Sequence, residues 1–209
     1  MNHMCLQTVT ECIYNQFLHR SNKDRPFVIG IDGLGGAGKS TYAKRLKHEL
    51  CTYNCFVYNI HLDHHIVERS KRYHTHYEEC YEYYYLQWDV CRIAHDLLNP
   101  LQSGLSLILP FYESATDSIS PTHVDIPQNS IIFIEGIFLQ RKEWRRFYDL
   151  VIYLHCSEEV RHKRVLARDT YLGNYEARVE KYQKRYWPAE NHYLEQLDPC
   201  HLADIIIKT

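Results

Sequence analysis

Residues 33–40, with the sequence GLGGAGKS, have the types and spacing that bind a phosphate group. They match the pattern G-x-x-x-x-G-K-[ST] and follow the apolar residues 27–31, so a strand leads into a glycine-rich loop and then a helix. Glycines let successive backbone N–H groups turn toward a bound anion, and the helix that begins near Lys39 adds its positive dipole end. The sequence therefore predicts that this loop holds the phosphates of a nucleotide.

Two residues of this phosphate-binding loop have distinct predicted roles. The Lys39 ammonium would reach the β- and γ-phosphates of a triphosphate, and the Ser40 hydroxyl would hold the Mg2+ that bridges them. A glycine-rich turn without a ligand is the alternative, but it leaves the lysine and the serine unexplained. We predict ATP and Mg2+ as cofactors, although these residues leave GTP open as the donor. The predicted nucleotide-binding residues are Gly33, Gly35, Gly36, Ala37, Gly38, Lys39, Ser40 and Thr41.

Two carboxylates follow predicted strands. Asp63 comes just after residues 55–60, which are apolar and aromatic, and Glu135 follows the apolar residues 131–134. Ligands of open parallel sheets bind beyond the carboxyl ends of the strands, so both side chains are expected beside the loop. Asp63 is a candidate catalytic carboxylate, with a helix cap or a turn as the alternative. Glu135 is a candidate Mg2+ ligand, with hydrogen bonds from the loop backbone as the alternative.

Three arginines recur at three- and four-residue spacing in the segment RHKRVLARD. Arg161, Arg164 and Arg168 would share one face of a helix, and that face could close over the triphosphate and stabilise the charge of the transferring group. A solvated basic face is the alternative.

The elements that must position these side chains can be predicted from hydrophobic patterns. Residues 4–18 and 41–50 have helical spacing, and residues 77–98 are aromatic and helical in their second half. Residues 105–109 and 111–112 resemble a hairpin or edge strands, and residues 113–129 a surface loop. Alternating strands and helices give an α/β, three-layer fold with a five-stranded parallel sheet flanked by helices. The five predicted strands of that sheet are residues 27–31, 55–60, 131–134, 150–154 and 204–207.

Composition excludes several classes of protein. The 209 residues carry a net charge of −2, so there is no basic field to suggest a nucleic-acid or membrane partner. Neither a membrane span nor a secretory signal is recognisable, and a cytoplasmic protein is expected. The 8 cysteines lack disulfide or zinc spacing and should be reduced thiols. Histidines between residues 61 and 76 either bind a metal or line the nucleotide site as polar loop residues.

The chain resembles the uridine kinase family of P-loop kinases, particularly its smaller bacterial members. The resemblance lies in VIGIDGLGGAGKST, HLDHH, IIFIEGIFL, RHKRVLARD, YQKRYWPAE and ADIII, which follow one another in the family's order from about residue 27 to the end. It implies a single P-loop NTPase domain over residues 1–209 with a helical lid. Residues 1–25 would hold an N-terminal helix, residues 61–125 the acceptor-binding region, and residues 157–187 the lid and the helix after it.

The resemblance also implies roles for single residues. Asp63 would be the general base that takes the proton of the acceptor hydroxyl, and it could touch Mg2+ through water. The predicted catalytic residues are Asp63, Lys39, Arg164 and Arg168; the predicted metal site is Ser40, Glu135 and Asp63; the predicted substrate contacts are Asp89 and Tyr112. Two positions depart from the family pattern: His65 replaces a common aromatic residue, and Asp117 replaces an acceptor-side histidine.

The leading functional prediction is ATP-dependent phosphoryl transfer to a hydroxyl of a small metabolite. The predicted acceptor is the 5′-hydroxyl of a nucleoside. Another small-molecule kinase, for pantothenate or nicotinamide riboside, is the first alternative. A nucleotide-binding switch or a relic without an acceptor site is the second, although the guanine-reading motif N-K-x-D is missing after the central strands. The tyrosine-rich residues 81–85 leave a homo-oligomer open.

Overall fold

The computed structural model describes residues 5–103 and 107–209. Its strands are β1 (Phe27–Asp32), β2 (Val57–His61), β3 (Leu107–Glu113), β4 (Ser118–Val124), β5 (Ile131–Glu135), β6 (Leu150–His155) and β7 (Ile205–Lys208). Its α-helices are α1 (Leu6–His19), α2 (Lys39–Thr52), α3 (Arg69–Arg72), α4 (Glu79–Tyr81), α5 (Val90–Ile93), α6 (Asn99–Ser103), α7 (Glu158–Arg168), α8 (Tyr175–Lys181), α9 (Trp187–Leu197) and α10 (Pro199–Leu202). The predicted N-terminal helix is present as α1, and Met4 lies outside the described residues.

The central sheet has five parallel strands in the order β2-β5-β1-β6-β7. β1 lies in the middle and is buried along its whole length, which explains the apolar residues 27–31; the strand ends at the buried Asp32. All five predicted strands belong to this sheet, so the predicted three-layer α/β fold is confirmed. The order places the carboxyl ends of β1, β2 and β5 side by side, where the phosphate-binding loop, Asp63 and Glu135 follow.

Each face of the sheet is covered by an apolar core. Helix α2 buries Tyr42, Leu46 and Leu50, which recur every fourth residue and so lie on one face of the helix. The core beneath α1 and α2 includes Val9, Ile13, Leu46, Ile29 and Phe133. The core on the opposite face includes Trp88, Trp144, Phe138, Ile132 and Val151. Because both faces are packed, the loops at the strand ends rest on a rigid frame.

A separate two-stranded sheet replaces part of a predicted loop. β3 and β4 pair antiparallel, with Pro110 opposite Pro121, so the prediction of a surface loop over 113–129 was wrong for residues 118–124. Proline cannot donate to a ladder, and its presence argued against a strand. In a two-stranded sheet both strands are edges, so each has a side that needs no partner. The predicted hairpin is present, and its predicted start at Leu105 lies outside the described residues.

The aromatic segment after residue 77 is more helical than predicted. Short α-helices alternate with π-helical turns at Glu82–Leu86 and Ala94–Leu98. The three tyrosines of the first π turn have different surroundings. Tyr84 is buried in the core, Tyr85 is exposed, and Tyr83 lines a cleft at the carboxyl ends of the strands. A wider helical turn is often found where side chains must be placed for function.

A buried ion pair joins this segment to the lid. Arg185 donates to the Glu82 carboxylate over 2.8 Å and to the backbone oxygen of Arg72 over 2.9 Å. We expect Arg185→Met to destabilise the fold by about 3–5 kcal/mol, because it leaves the Glu82 charge buried without its partner. Chemical denaturation measures this change.

The neighbouring residue Lys184 is the matched control for Arg185. Its ion pair with Glu180 is 61% and 64% exposed at the two side chains, against 0% and 2% for Arg185 and Glu82. Lys184→Met should therefore cost less than about 1 kcal/mol. Equal losses of stability in the two variants would contradict the role assigned to the buried pair.

Two further features concern the cysteines and the helices. All cysteines in the sequence are free thiols, as predicted from their spacing. No helix in the ranges 5–103 and 107–209 has the length and apolar composition to cross a membrane.

Candidate functional site

A cleft of about 1400 Å³ opens at the carboxyl ends of the strands. The phosphate-binding loop forms one wall and the lid another, and the third comes from the segment after β2. Among the predicted site residues, the cleft brings together Gly35, Gly36, Gly38, Lys39, Ser40, Thr41, Asp63, Tyr112 and Arg168. Gly33 and Ala37 lie beneath this surface and shape the loop. A cleft of this size can hold a nucleotide together with a small acceptor.

Two glycines give the phosphate-binding loop its shape. Gly36 has φ +77° and Gly38 has φ +91°, a left-handed backbone that side chains rarely permit. A Cβ on Gly36 would lie only 2.7 Å from the backbone oxygen of Arg161, so the loop also packs tightly against α7. At Gly38 a Cβ would meet no atom within 4 Å, and the restriction there is conformational alone. Lys39, Ser40 and Thr41 in the first turn of α2 line the cleft, and the N–H groups of a first turn have no acceptor within their own helix. The N–H groups of Gly33, Gly35 and Ala37 are bonded to Asp32, Glu190 and Leu34.

Lys39 extends across the mouth of the loop. Its Nζ donates to the backbone oxygens of Gly33 over 2.7 Å and Leu34 over 3.1 Å. Burial lowers the pKa of Lys39, while Asp63 and Asp32 act in the opposite direction. The two oxygens that accept from Nζ belong to neutral backbone carbonyl groups. The ammonium can therefore exchange them for the more strongly attracting oxygens of a phosphate.

Asp63 lies on a short 3₁₀ turn, Leu62–His65, that begins where β2 ends. Its side chain is open to the cleft. The protein around the cleft partly desolvates the carboxylate, and this raises the pKa of Asp63; Lys39 opposes the shift and Glu135 adds to it. A carboxylate with a raised pKa is a better proton acceptor than an exposed one. The geometry thus supports the catalytic interpretation over a helix cap.

Glu135 ends β5 beneath Ser40. Burial alone would raise the pKa of Glu135, but hydrogen bonds from His61 and Ser40 more than offset it and keep the pKa below its usual value. The His61 ring contacts Glu135 Oε1, while Oε2 is buried and has no hydrogen-bond partner in the parts of the chain described. A carboxylate that has one unpartnered oxygen and lies near the Ser40 hydroxyl fits the donor set that Mg2+ takes next to phosphates.

The three lid arginines do not act as one face. Arg168 lines the cleft and pairs with Asp169 over 2.6 Å. Arg164 donates to the backbone oxygen of Gly36 over 3.2 Å. Arg161 is buried and is not free to close over a triphosphate. The prediction that it shares a triphosphate-facing side of the helix with the other two arginines is therefore wrong. The burial of Arg161 follows from its position on the side of α7 that packs against the loop.

Sequence reasoning missed the partner of Arg161. Glu190, in the first turn of α9, accepts from Arg161 Nη1 over 2.6 Å and from the Gly35 N–H over 2.8 Å. The two buried charges thus hold the phosphate-binding loop against α7 and α9. The segment YQKRYWPAE contains this glutamate, but no spacing rule links it to a loop far away in the sequence.

The two predicted substrate residues lie in different places. Tyr112 lines the cleft, where its hydroxyl donates to Asp117 over 2.9 Å. Asp89 lies beside a second pocket of about 400 Å³, and its carboxylate caps α5 by accepting from the Arg92 N–H over 2.9 Å. The geometry therefore gives Asp89 a capping role, and its contact with the acceptor stays a prediction.

The histidines after β2 have separate surroundings. His61 contacts Glu135, whereas His65 is buried and hydrogen-bonds to the backbone oxygen of Pro110 over 2.8 Å. Within residues 5–103 and 107–209, no three His, Cys, Asp or Glu side chains are grouped closely enough to hold a metal ion by themselves. A Mg2+ ion beside a triphosphate does not need such a group, because it keeps water and phosphate oxygens as ligands.

The chain is similar to known proteins in sequence and in structure. The model of the Phosphoribulokinase / Uridine kinase family matches residues 28–209. The uridine kinase of Staphylococcus carnosus is 28% identical over 186 residues, which cover 86% of both chains. The uridine kinase of Deinococcus deserti is 27% identical over 186 residues, covering 86% of this chain and 81% of the relative. A solved structure of a possible uridine kinase from Bacillus stearothermophilus is 40% identical, with a TM-score of 0.78 and coverage of 98% of this chain and 100% of the other.

Proposed function

The chain belongs to the phosphoribulokinase / uridine kinase family, and we propose that it transfers the γ-phosphate of ATP to a hydroxyl of a small metabolite. The observation that carries this proposal is that Lys39 and Asp63, from separate elements, line one cleft, and that Glu135, from a third element, lies close enough to act on the charges of both. Phosphoryl transfer needs positioning and charge neutralisation more than covalent chemistry, and these groups can supply both.

In the proposed reaction the loop and its lysine hold the donor. Lys39 leaves the backbone oxygens of Gly33 and Leu34 and contacts the β- and γ-phosphates. Ser40 and Glu135 would hold Mg2+, which neutralises phosphate charge when bound. Arg164 and Arg168 stabilise the negative charge on the transferring group from the lid side.

Asp63 acts on the acceptor. It orients the acceptor hydroxyl toward the γ-phosphate and takes its proton as the new P–O bond forms and the bond between the γ-phosphorus and the leaving ADP oxygen breaks. The raised pKa of Asp63 supports this role, because it strengthens the carboxylate as a base. Lid residues, including Tyr171 and Tyr182, line the cleft and would keep water from competing with the acceptor.

For the acceptor, the names of the relatives favour a nucleoside with a free 5′-hydroxyl. A carboxylate-bearing acceptor such as pantothenate is the second candidate, and the cations Arg69 and Arg72 in the cleft favour it. Nicotinamide riboside, a cation, fits these neighbours less well.

The proposal is tested by measuring ADP release from Mg-ATP with each acceptor. The panel contains uridine, cytidine, nicotinamide riboside, pantothenate and simple sugars. Release stimulated by one acceptor, with formation of its phosphate ester, is the expected result. Tight ATP binding without stimulation by any acceptor would favour a relic or a switch.

A further inference from the structure

We propose that Arg72 and Arg69 form a subsite for an anionic group of the acceptor, a carboxylate or a phosphate. The inference rests on the proposed phosphoryl transfer and narrows its acceptor to a hydroxyl compound that also carries negative charge. Both arginines belong to α3, three residues apart, so their side chains lie on the same face of that turn. Both line the cleft that holds Lys39 and Asp63.

Arg72 is a buried charge with hydrogen-bonding capacity to spare. Its residue surface is only 5% exposed, yet it borders the cleft. Nε donates to the backbone oxygen of Val67 over 2.8 Å and Nη2 to the Tyr112 hydroxyl over 3.1 Å. Nη1 has no hydrogen-bond partner, and the guanidinium pairs with no carboxylate, among the residues described. Burying an unpaired charge is costly, and a bound anion would remove that cost.

The neighbouring carboxylates are engaged elsewhere. Glu82 pairs with Arg185, Glu79 with Lys181, and Glu68 with Lys71. Asp117 accepts from the Arg69 N–H and from the Tyr112 hydroxyl, so that hydroxyl separates it from the Arg72 guanidinium. Asp117 thus lies near both Arg69 and Arg72, and its single negative charge does not neutralise the two guanidinium groups.

The acids that line the cleft do not balance these arginines. In the described ranges they are Asp63, Asp169 and Glu190, and the last two pair with Arg168 and Arg161. Lys181 from α8 also lines the cleft, and its Nζ lies 5.0 Å from the centre of the Tyr73 ring. The Arg72 guanidinium lies 4.8 Å from the same ring. The lid therefore brings a third cation toward α3, one that is itself paired with Glu79.

This arrangement selects a class of acceptor. A guanidinium with a free edge binds a carboxylate or phosphate through charge-assisted hydrogen bonds, and Tyr112 fixes its plane. The acceptor would place its anionic group on Arg72 and Arg69 and its hydroxyl beside Asp63. A neutral nucleoside makes no use of the charge.

The subsite can be tested without knowing the acceptor. The protein is saturated with Mg2+ and a non-hydrolysable ATP analogue, which fills the phosphate-binding loop, and then titrated with inorganic phosphate in a calorimeter. We expect one further phosphate to bind, and Arg72→Met to weaken it by at least about tenfold. Lys71→Met is the matched control, because the Lys71 side chain on the same helix is 63% exposed and should leave the affinity unchanged. Absence of binding, or equal binding by Arg72→Met, would overturn the subsite.

A second variant covers the case in which Arg72→Met does not fold. Arg69 is exposed, and Arg69→Met should fold and raise the KM of an anionic acceptor by at least about tenfold while kcat stays within about threefold. Pantothenate and D-glycerate represent carboxylates, and ribose 5-phosphate represents phosphate esters. Turnover of uridine that is insensitive to Arg69→Met would overturn the subsite and leave phosphoryl transfer standing. Phosphate binding that depends on Arg72 in a protein that phosphorylates no acceptor would support the subsite and count against the proposed kinase activity.

Discussion

Replacing Asp63 with asparagine is expected to lower kcat by roughly a thousandfold, the usual contribution of a well-placed general base. Asparagine has nearly the same shape and can still orient the acceptor hydroxyl, but it cannot take the proton. The substitution also removes a negative charge that interacts with Lys39. The KM for ATP should nevertheless change little, because the loop and Lys39 hold the phosphates while Asp63 acts on the acceptor. Steady-state kinetics with the best acceptor, together with calorimetric ATP binding, measures both quantities.

Asp24→Asn is the control for this substitution. Asp24 is an exposed aspartate in the turn before β1, outside the cleft, and the variant should keep the activity of the parent chain. If Asp63→Asn retains parental kcat, another group takes the proton and the role assigned to Asp63 is wrong. If it instead loses ATP binding, Asp63 serves mainly the nucleotide.

The second large effect concerns the donor side. Lys39→Ala should lower kcat/KM for ATP by about two to three orders of magnitude, because a fixed positive charge at the transferring group is lost. In the free protein Lys39 donates to two backbone oxygens and its charge interacts with Asp63 and Asp32, so its removal should lower the free energy of unfolding by about 1–3 kcal/mol and leave the protein folded. Kinetics and thermal denaturation of the same preparation separate these two outcomes.

Lys44→Ala provides the comparison for Lys39. Lys44 lies on an exposed face of α2, outside the cleft, and its removal takes the same charge from the same helix. Parental activity in Lys44→Ala with a large loss in Lys39→Ala is the expected pattern. Equal losses would mean that overall charge, and not the position of Lys39, governs donor binding.

Much of the fold could be predicted because its signals are local. The strands of the central sheet are short apolar runs buried on both faces, and the glycine-rich loop is set by its own residue types. Asp63 and Glu135 could be placed beside the loop because the carboxyl ends of parallel strands share one edge of the sheet. The order β2-β5-β1 puts the strands of both carboxylates next to each other, and β5 next to β1, the strand before the loop.

The rest depended on packing between distant segments. No spacing connects Glu190 to Gly35 or His61 to Glu135, and only the folded chain brings these pairs together. The three arginines of α7 illustrate the same limit: helical spacing placed them near one another, but the close approach of α7 to Gly36 buried Arg161. The strand over residues 118–124 was missed because Pro121 is acceptable only on an edge.

The central claim is that the γ-phosphate passes from the loop to an acceptor hydroxyl beside Asp63. Phosphorus NMR of the protein with Mg-ATP and each acceptor of the panel tests it most directly, since phosphate esters and inorganic phosphate give separate signals. We predict a new phosphate-ester signal that grows with ADP, requires one acceptor and is lost in Asp63→Asn. ATP converted only to ADP and inorganic phosphate, whatever acceptor is present, would contradict the account.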